Sequence, residues 1–159
     1  MEAIAKRAGV SKETLYRWWR SKAEVVLEAL AQRGDETIPI PDTGSLRRDL
    51  RAFLRASVDS ADPTVERLLR ALAAEAAGDQ TMAELIRDNF LMRRRSALST
   101  ILGRAVTRGE LSRTNAKIAL DFVYGSLWYR LIFDIAPLDY AWADGVAKAI
   151  AALAGEQPA

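Results

Sequence analysis

The segment from residue 116 to residue 135 constrains the fold of this chain more than any other part of the sequence. An amphipathic surface helix has one apolar stripe, with polar residues on the opposite face. In this segment the apolar side chains point in nearly every direction around a helix axis: Ile118, Leu120, Phe122, Val123, Tyr124, Leu127, Trp128, Tyr129, Leu131, Ile132, Phe133 and Ile135. Such a helix must be buried on two sides. Either a central position within one chain or a position between two copies would bury it.

The rest of the sequence is also typical of helices. Alanine, leucine, arginine and glutamate are abundant, and no run of alternating β-branched residues suggests a strand, so we predict an all-α fold. Glycines, prolines and capping residues divide the chain into predicted helices at about 2–8, 12–18, 21–34, 45–61, 63–77, 81–108, 116–135 and from 139 onward. Capping boxes are predicted at Ser21-x-x-Glu24 and Thr81-x-x-Glu84, and Asn115 is the predicted cap of the apolar helix.

A proline-containing stretch divides the chain into two units. Residues 35–44 (DETIPIPDTG) are predicted to be a linker between a small unit, residues 1–34, and a larger body, residues 45–155. The tail from Gly155 is expected to fray, as chain ends commonly do.

The composition argues against several classes of function. The sequence has no cysteine and no histidine, which removes disulfides, thiolate metal sites and the commonest general base. We therefore expect neither an enzyme nor a cofactor, and a cytoplasmic protein with no membrane span. An enzyme based on carboxylates is a distant alternative, because helix capping and helix surfaces account for Asp59, Asp62, Glu66 and Glu75.

Charge is distributed unevenly along the chain. The first 22 residues include six basic and two acidic residues, whereas the whole chain has a net charge of only +2. A basic end on a slightly acidic body suggests an anionic partner at the N-terminus. A solvated basic surface that binds nothing is the alternative.

Residues 4–18 have the spacing of a helix-turn-helix. Gly9 lies at the turn, where a positive φ is easiest without a Cβ, and Ser11 is a good N-cap for the second helix. Apolar residues occur at the helix-turn-helix spacing at Ile4, Ala8, Val10, Leu15 and Trp18. Trp18 is expected to be packed, and an exposed Trp18 that stacks on a sugar-phosphate edge is the alternative. The exposed side of the second helix would carry basic and hydroxyl groups suited to a DNA groove. A helical corner that binds nothing has the same spacing.

Two longer strings resemble the tetracycline-repressor (TetR/AcrR) family of transcriptional regulators. The string IAKRAGVSKETLYRWWRSKAEVV is similar to the family pattern I-A-x-x-A-G-V-S-x-x-T-L-Y-x-x-F-x-x-K, and RGELSRTNAKIALDFVYGSLWYRLIF, from Arg108 to Phe133, resembles one subgroup. The resemblance implies a homodimeric repressor that binds a palindromic operator and is released by a small-molecule effector. It further implies DNA contacts to phosphates by Tyr16 and Lys22, and a recognition helix bearing Lys12, Thr14 and Arg17.

The resemblance also implies roles for the body. The last two helices would pair with their copies in a dimer, with interface candidates Ile118, Phe122, Val123, Gly125, Ser126 and Tyr129. The helices at 45–61, 64–77 and 82–108 would enclose an effector cavity, with candidate lining residues Phe53, Leu72, Phe90, Leu98 and Trp128. The run Arg93-Arg94-Arg95 is expected to be a solvated face; binding of an anionic effector by Arg94 or Arg95 is the alternative.

Family members carry one further helix before the position that matches Ile4, and this sequence starts at Met1. We therefore expect a helix-turn-helix head without its first helix. Residues 1–18 would be mobile or held by a neighbour, and the helix from Ser21 would be held by the body. Operator affinity would then be near the non-specific level. The alternative function is a ligand-binding or dimerisation module that has lost DNA binding.

Overall fold

The structure is a computed structural model that describes residues 1–153, and within them it confirms the all-α prediction. The expected fraying from Gly155, and the last residues of the predicted body, lie outside the described residues. A single π-helical turn, Arg87–Leu91, separates α6 from α7. The α-helices are α1 Glu2–Ala8, α2 Lys12–Trp18, α3 Lys22–Thr37, α4 Leu46–Ser60, α5 Pro63–Gly78, α6 Gln80–Ile86, α7 Met92–Thr107, α8 Arg113–Phe133 and α9 Tyr140–Leu153.

The predicted capping box at Ser21 is present at the start of α3. The Ser21 hydroxyl accepts from the Glu24 N–H at 3.1 Å, and the Glu24 carboxylate accepts from the Arg20 N–H at 2.7 Å. The helix then continues to Thr37, three residues into the predicted linker, so the non-helical connection between the two units is shorter than expected. Across the part of the chain that the structure describes, no helix is long and apolar enough to cross a membrane.

The predicted cap and length of the helix at 81–108 were wrong. Asp79 caps α6, and its Oδ1 accepts from the N–H groups of Thr81 and Met82 at 2.8 and 3.2 Å. A carboxylate can satisfy two of the amides left without partners at a helix start, which explains why Asp79 takes the place predicted for Thr81. The π-helical turn then interrupts the helix that the sequence predicted as continuous.

The predicted cap of the apolar helix was also wrong. Ser112 caps α8 by accepting from the Asn115 N–H at 3.0 Å. The Asn115 side chain instead donates to the Leu153 carbonyl at 3.0 Å, which joins the start of α8 to the end of α9. The helix ends two residues earlier than predicted because Asp134 adopts a left-handed conformation, with φ 52°.

One hydrophobic core unites α4, α7, α8 and α9. Its fully buried side chains include Leu50, Leu54, Leu98, Ile101 and Ile150. At the surface of this core, Arg51 and Arg55 each form two hydrogen bonds to Asp144, at 2.6 to 3.2 Å. These bonds, led by those from Arg55, hold the pKa of Asp144 well below its usual range. The pair α4 and α9 is therefore joined by both apolar packing and a charge network.

A second hydrophobic cluster attaches α3 to the body. Leu27 and Leu30 of α3 pack with residues of α5, α6 and α8: Leu69, Leu72, Met82, Ile86 and Leu131. Of the residues that the structure describes, none in α1 or α2 belongs to either cluster. Ala5 and Leu15 are the buried residues of these two helices. The head, meaning α1 and α2, therefore has little core of its own.

We expect the head and the body to differ in hydrogen exchange. Short isolated helices are marginal in water, and α1 and α2 have seven residues each. In deuterium-exchange mass spectrometry, the amides from Ala5 to Trp18 should exchange at nearly unprotected rates. Those from Leu27 to Ala31 should remain protected, and the α4 amides from Leu50 to Leu54 provide the internal reference. Equal protection of the head and α3 would contradict this expectation.

Candidate nucleic-acid interface and ligand cavity

The turn between α1 and α2 has the geometry that the sequence pattern predicted. Gly9 has φ 68°, in the left-handed region that favours glycine, and the Val10 N–H donates to the Ala5 carbonyl at 3.1 Å. Ser11 then caps α2 by accepting from the Thr14 N–H at 3.2 Å. These contacts set the direction in which α2 leaves the turn, with Leu15 buried against α1.

The candidate DNA-binding residues lie on the accessible surface of α2 and of the first turn of α3. Lys12, Thr14, Tyr16 and Arg17 are exposed on α2, and Lys22 is exposed in the first turn of α3. Their existing contacts are weak: the Lys12 ammonium lies 3.5 Å from Glu2, and the Thr14 hydroxyl lies 3.1 Å from that of Ser11. An anionic ligand could displace both contacts at little cost, because exposed ion pairs contribute little stability.

The prediction that Trp18 is packed was wrong. Its exposed fraction is 75%, and it is the last residue of α2. The neighbouring Trp19 is half-buried instead. Trp18 therefore adds an indole ring to the exposed surface that bears Arg17.

An apolar cavity of about 100 Å³, partly open to solvent, is bounded by residues of α3, α4, α5, α7, α8 and α9 and by the π-helical turn. Five aromatic side chains contribute to its wall: Phe53, Phe90, Tyr124, Trp128 and Trp142. Three of the predicted lining residues, Phe53, Phe90 and Trp128, are thus placed around it. The other two, Leu72 and Leu98, are not among the residues that line the cavity: Leu98 packs in the main core and Leu72 in the cluster that joins α3 to α5 and α6.

Arg94 is buried, so the prediction of a solvated face was wrong for this residue. Its exposed fraction is 6%, and it lines the cavity. Nη1 donates to Asp35 at 3.2 Å, and the guanidinium lies 5.7 Å from the centre of the Phe53 ring. The two neighbouring arginines form ion pairs at the surface. Arg93 pairs with both Glu28 and Asp35, and Arg95 pairs with Asp121.

Two neighbours hold Arg94 in place. The Tyr124 hydroxyl donates to the Arg94 carbonyl at 2.6 Å, and burial raises the pKa of Tyr124 to about 12. Gly34 of α3 packs directly against the arginine side chain: a Cβ at this position would lie 3.1 Å from Nη1 and 3.3 Å from Cδ. Glycine therefore permits the close approach of α3 and α7 at the cavity wall.

The second side of α8 is uncovered in the single chain. Ile118, Phe122, Gly125 and Tyr129 are exposed at helical spacing along one face, and Ile132 and Phe133 extend it. A Cβ added at Gly125 would meet no atom of the described chain within 4 Å. The all-round apolar pattern of α8 thus divides into one face packed in the body and one open face.

Two of the interface candidates do not lie on this open face. Val123 is 1% exposed in the main core of its own chain, because the body contacts α8 at that position. Ser126 is half-buried; its hydroxyl donates to the Val123 carbonyl at 3.1 Å and accepts from the Trp142 indole at 3.3 Å. Within residues 1–153, no group of three or more carboxylate or other ligating side chains could hold a metal ion.

Comparison with known proteins gives consistent matches over both units. Residues 1–29 match the family model described as bacterial regulatory proteins of the tetR family, and residues 40–150 match the one described as tetracyclin repressor-like, C-terminal domain. The chain is 32% identical over 136 residues to the HTH-type transcriptional regulator YdeS of Bacillus subtilis (strain 168), covering 83% of this chain and 67% of that protein.

Two further matches agree. The chain is 34% identical over 151 residues to the DNA-binding transcriptional repressor TetR of Mycobacteroides abscessus, covering 89% of this chain and 75% of that protein. The crystal structure of the TetR family transcription regulator SCO0332 superimposes with a TM-score of 0.87 at 30% identity, covering 99% of this chain and 86% of that chain.

Proposed function

Because this chain belongs to the TetR family of bacterial transcriptional regulators, we propose that it is a repressor that binds a palindromic operator as a homodimer and is released by a small-molecule effector. The observation that carries the proposal is the exposed surface of α2 beside the Gly9 turn, in a chain whose body also contains an apolar cavity. In this proposal the protein acts in the cytoplasm and catalyses no reaction.

The proposed DNA contacts follow from the placement of the side chains. Lys12, Thr14 and Arg17 occupy the exposed part of α2, which would enter the major groove and contact base edges. Tyr16 and Lys22 would contact phosphates and fix the register of the head. Since α1 and α2 have little core, part of the binding free energy would be used to order them on DNA.

The proposed dimer uses the open face of α8 together with exposed small residues of α9. Ile118, Phe122, Gly125 and Tyr129 supply the apolar surface, and Gly125 allows two helices to approach closely. Twofold symmetry would place the same face of each copy in contact and would set the spacing of the two α2 helices. We propose residues 1–37 as the DNA-binding unit and the helices from α4 onward as the unit that forms the dimer.

Substitutions of Lys22 and Arg17 should have different effects on DNA binding. Lys22→Ala should weaken binding to all sequences about equally, and it should lower the salt dependence of log K by about one unit per protomer, because one phosphate contact is lost. Arg17→Ala should change the preference among operator variants by roughly 1 to 3 kcal/mol at the base pair that it contacts. Fluorescence-anisotropy titrations over a range of salt concentrations measure both effects.

The matched control is Arg67→Ala, which removes an exposed cation from α5 in the body. This variant should bind DNA like the wild type, since α5 is not part of the proposed interface. Equal loss at every sequence for Arg17→Ala would exclude a role in base recognition. An unchanged salt slope for Lys22→Ala would exclude its phosphate contact.

A further inference from the structure

Arg94 has an unsatisfied hydrogen-bonding group at the cavity wall. Its Nη2 atom is buried and has no hydrogen-bond partner among residues 1–153, although Nη1 of the same guanidinium is bonded to Asp35. Buried polar groups nearly always have partners, and a charged donor left without one carries a large desolvation penalty. A side chain that is more than nine-tenths buried and lacks a partner for one donor is suited to binding an acceptor in the cavity.

The charges around the cavity favour an anionic acceptor. The lining includes two arginines, Arg33 and Arg94, and no aspartate or glutamate side chain among the residues that the structure describes. Arg33 is half-exposed and is bonded to Asp62 at 3.0 Å, so it lies toward solvent with its charge already paired. Asp35, which pairs with Arg94, is also bonded to Arg93 at 2.6 Å. Arg94 can therefore share its charge with a second anion.

The remaining lining defines the rest of the ligand. Phe53, Phe90, Trp128 and Trp142 provide flat apolar surfaces, and about 100 Å³ of space limits the ligand to a molecule with a single ring. Tyr124 is neutral at physiological pH, and its hydroxyl already donates a hydrogen bond to the Arg94 carbonyl. Of the two arginines in the lining, Arg94 is the buried one with a donor left free by the described residues, and it is therefore the group that we expect to bind a ligand.

We propose that the cavity binds a small aromatic monocarboxylate, whose carboxylate accepts a hydrogen bond from Nη2 of Arg94. This inference rests on the proposed function, in which the cavity is the effector site. The Arg94 side chain also contacts Gly34 and Asp35 near the C-terminal end of α3, the helix that follows the head. A ligand bound to Arg94 would therefore act directly on the contact between α3 and α7.

The test compares carboxylates with neutral compounds of the same shape. Isothermal titration calorimetry of the full chain, without DNA, uses benzoate and phenylacetate as probes against benzamide and phenylacetamide. We expect at least one carboxylate to bind at least tenfold more tightly than its amide. Arg94→Gln should weaken carboxylate binding roughly ten- to hundredfold, the range expected for a lost hydrogen bond to a charged group, and should leave amide binding nearly unchanged.

Two further variants keep the test decisive. Arg95→Gln removes the neighbouring, partly exposed arginine and should not change the affinity for either probe. If circular dichroism shows that Arg94→Gln does not fold, Gly34→Ala takes its place, since the added Cβ would displace the Arg94 side chain and should weaken carboxylate binding several-fold.

Three results would overturn the inference. These are equal affinities for carboxylate and amide, full carboxylate affinity in the folded Arg94 or Gly34 variant, or no binding of either carboxylate at millimolar concentration. Because no DNA is present, none of these results would contradict the proposed operator binding. If the DNA titrations showed no operator binding, the conclusion from calorimetry about the ligand would not change.

Discussion

Phe122→Asp should convert the dimer into monomers at micromolar concentration. The Phe122 side chain is 48% exposed on the open face of α8, at the centre of the proposed interface. Twofold symmetry would bury two new carboxylates, and burying unpaired charges costs about 4 kcal/mol or more, which corresponds to at least a thousandfold weaker dimer. Because two half-sites must be bound together, operator binding should fall with the dimer.

Sedimentation velocity at several protein concentrations measures this effect. Ala71→Asp is the matched control, since it adds a carboxylate to an exposed position of α5, a helix that is not part of the proposed interface. This control should sediment as the wild type does. A monomeric wild type at micromolar concentration, or a Phe122→Asp variant that remains dimeric, would rule out the proposed interface.

Leu27→Ala should destabilise the protein by roughly 3 to 5 kcal/mol, the range for a fully buried leucine whose cavity does not collapse. Leu27 is 0% exposed and packs at the centre of the cluster that attaches α3 to α5, α6 and α8. The loss should appear both in urea unfolding and in DNA binding, because α3 connects the head to the body. A loss of this size is a large fraction of the stability of an ordinary domain.

The matched variant is Leu27→Met, which conserves side-chain volume and should cost less than about 1.5 kcal/mol. Urea titrations followed by circular dichroism give both free energies of unfolding. Similar stabilities for Leu27→Ala and the wild type would mean that α3 is not anchored by this cluster. Loss of DNA binding in Leu27→Met would mean that the head depends on more than the packing volume at this position.

The features that could be predicted from the sequence are those with local physical causes. The two short helices and their turn follow from Gly9 and from the cap at Ser11, and the start of α3 follows from the box at Ser21 and Glu24. The apolar face of α8 that lies outside the core was evident as excess hydrophobicity. Such signals are local because they depend on backbone conformation and on residues three or four positions apart.

The features that could not be predicted depend on contacts between distant residues. Three consecutive arginines span about 200° of a helix, and the sequence alone does not show that Arg94 is the one that meets α3. Its burial requires Gly34, which lies 60 positions earlier in the chain. In the same way, Leu72 and Leu98 are apolar positions like those of the cavity wall, and only the packing of α5 and α7 directs them into the core.

The most direct test of the central claim is selection of bound sequences from a pool of random double-stranded DNA by the full chain. Low ionic strength is used because phosphate contacts are strongest there and weak binding is retained. If DNA did not order α1 and α2, affinity would stay near the non-specific level and no sequence would be enriched. The account predicts instead that DNA orders them, which gives an enriched inverted repeat whose half-site centres are about 10 base pairs, or a multiple of that distance, apart. Substitution at Arg17 should alter bases within each half-site. A pool without an enriched sequence, or an enriched sequence without twofold symmetry, would contradict the account.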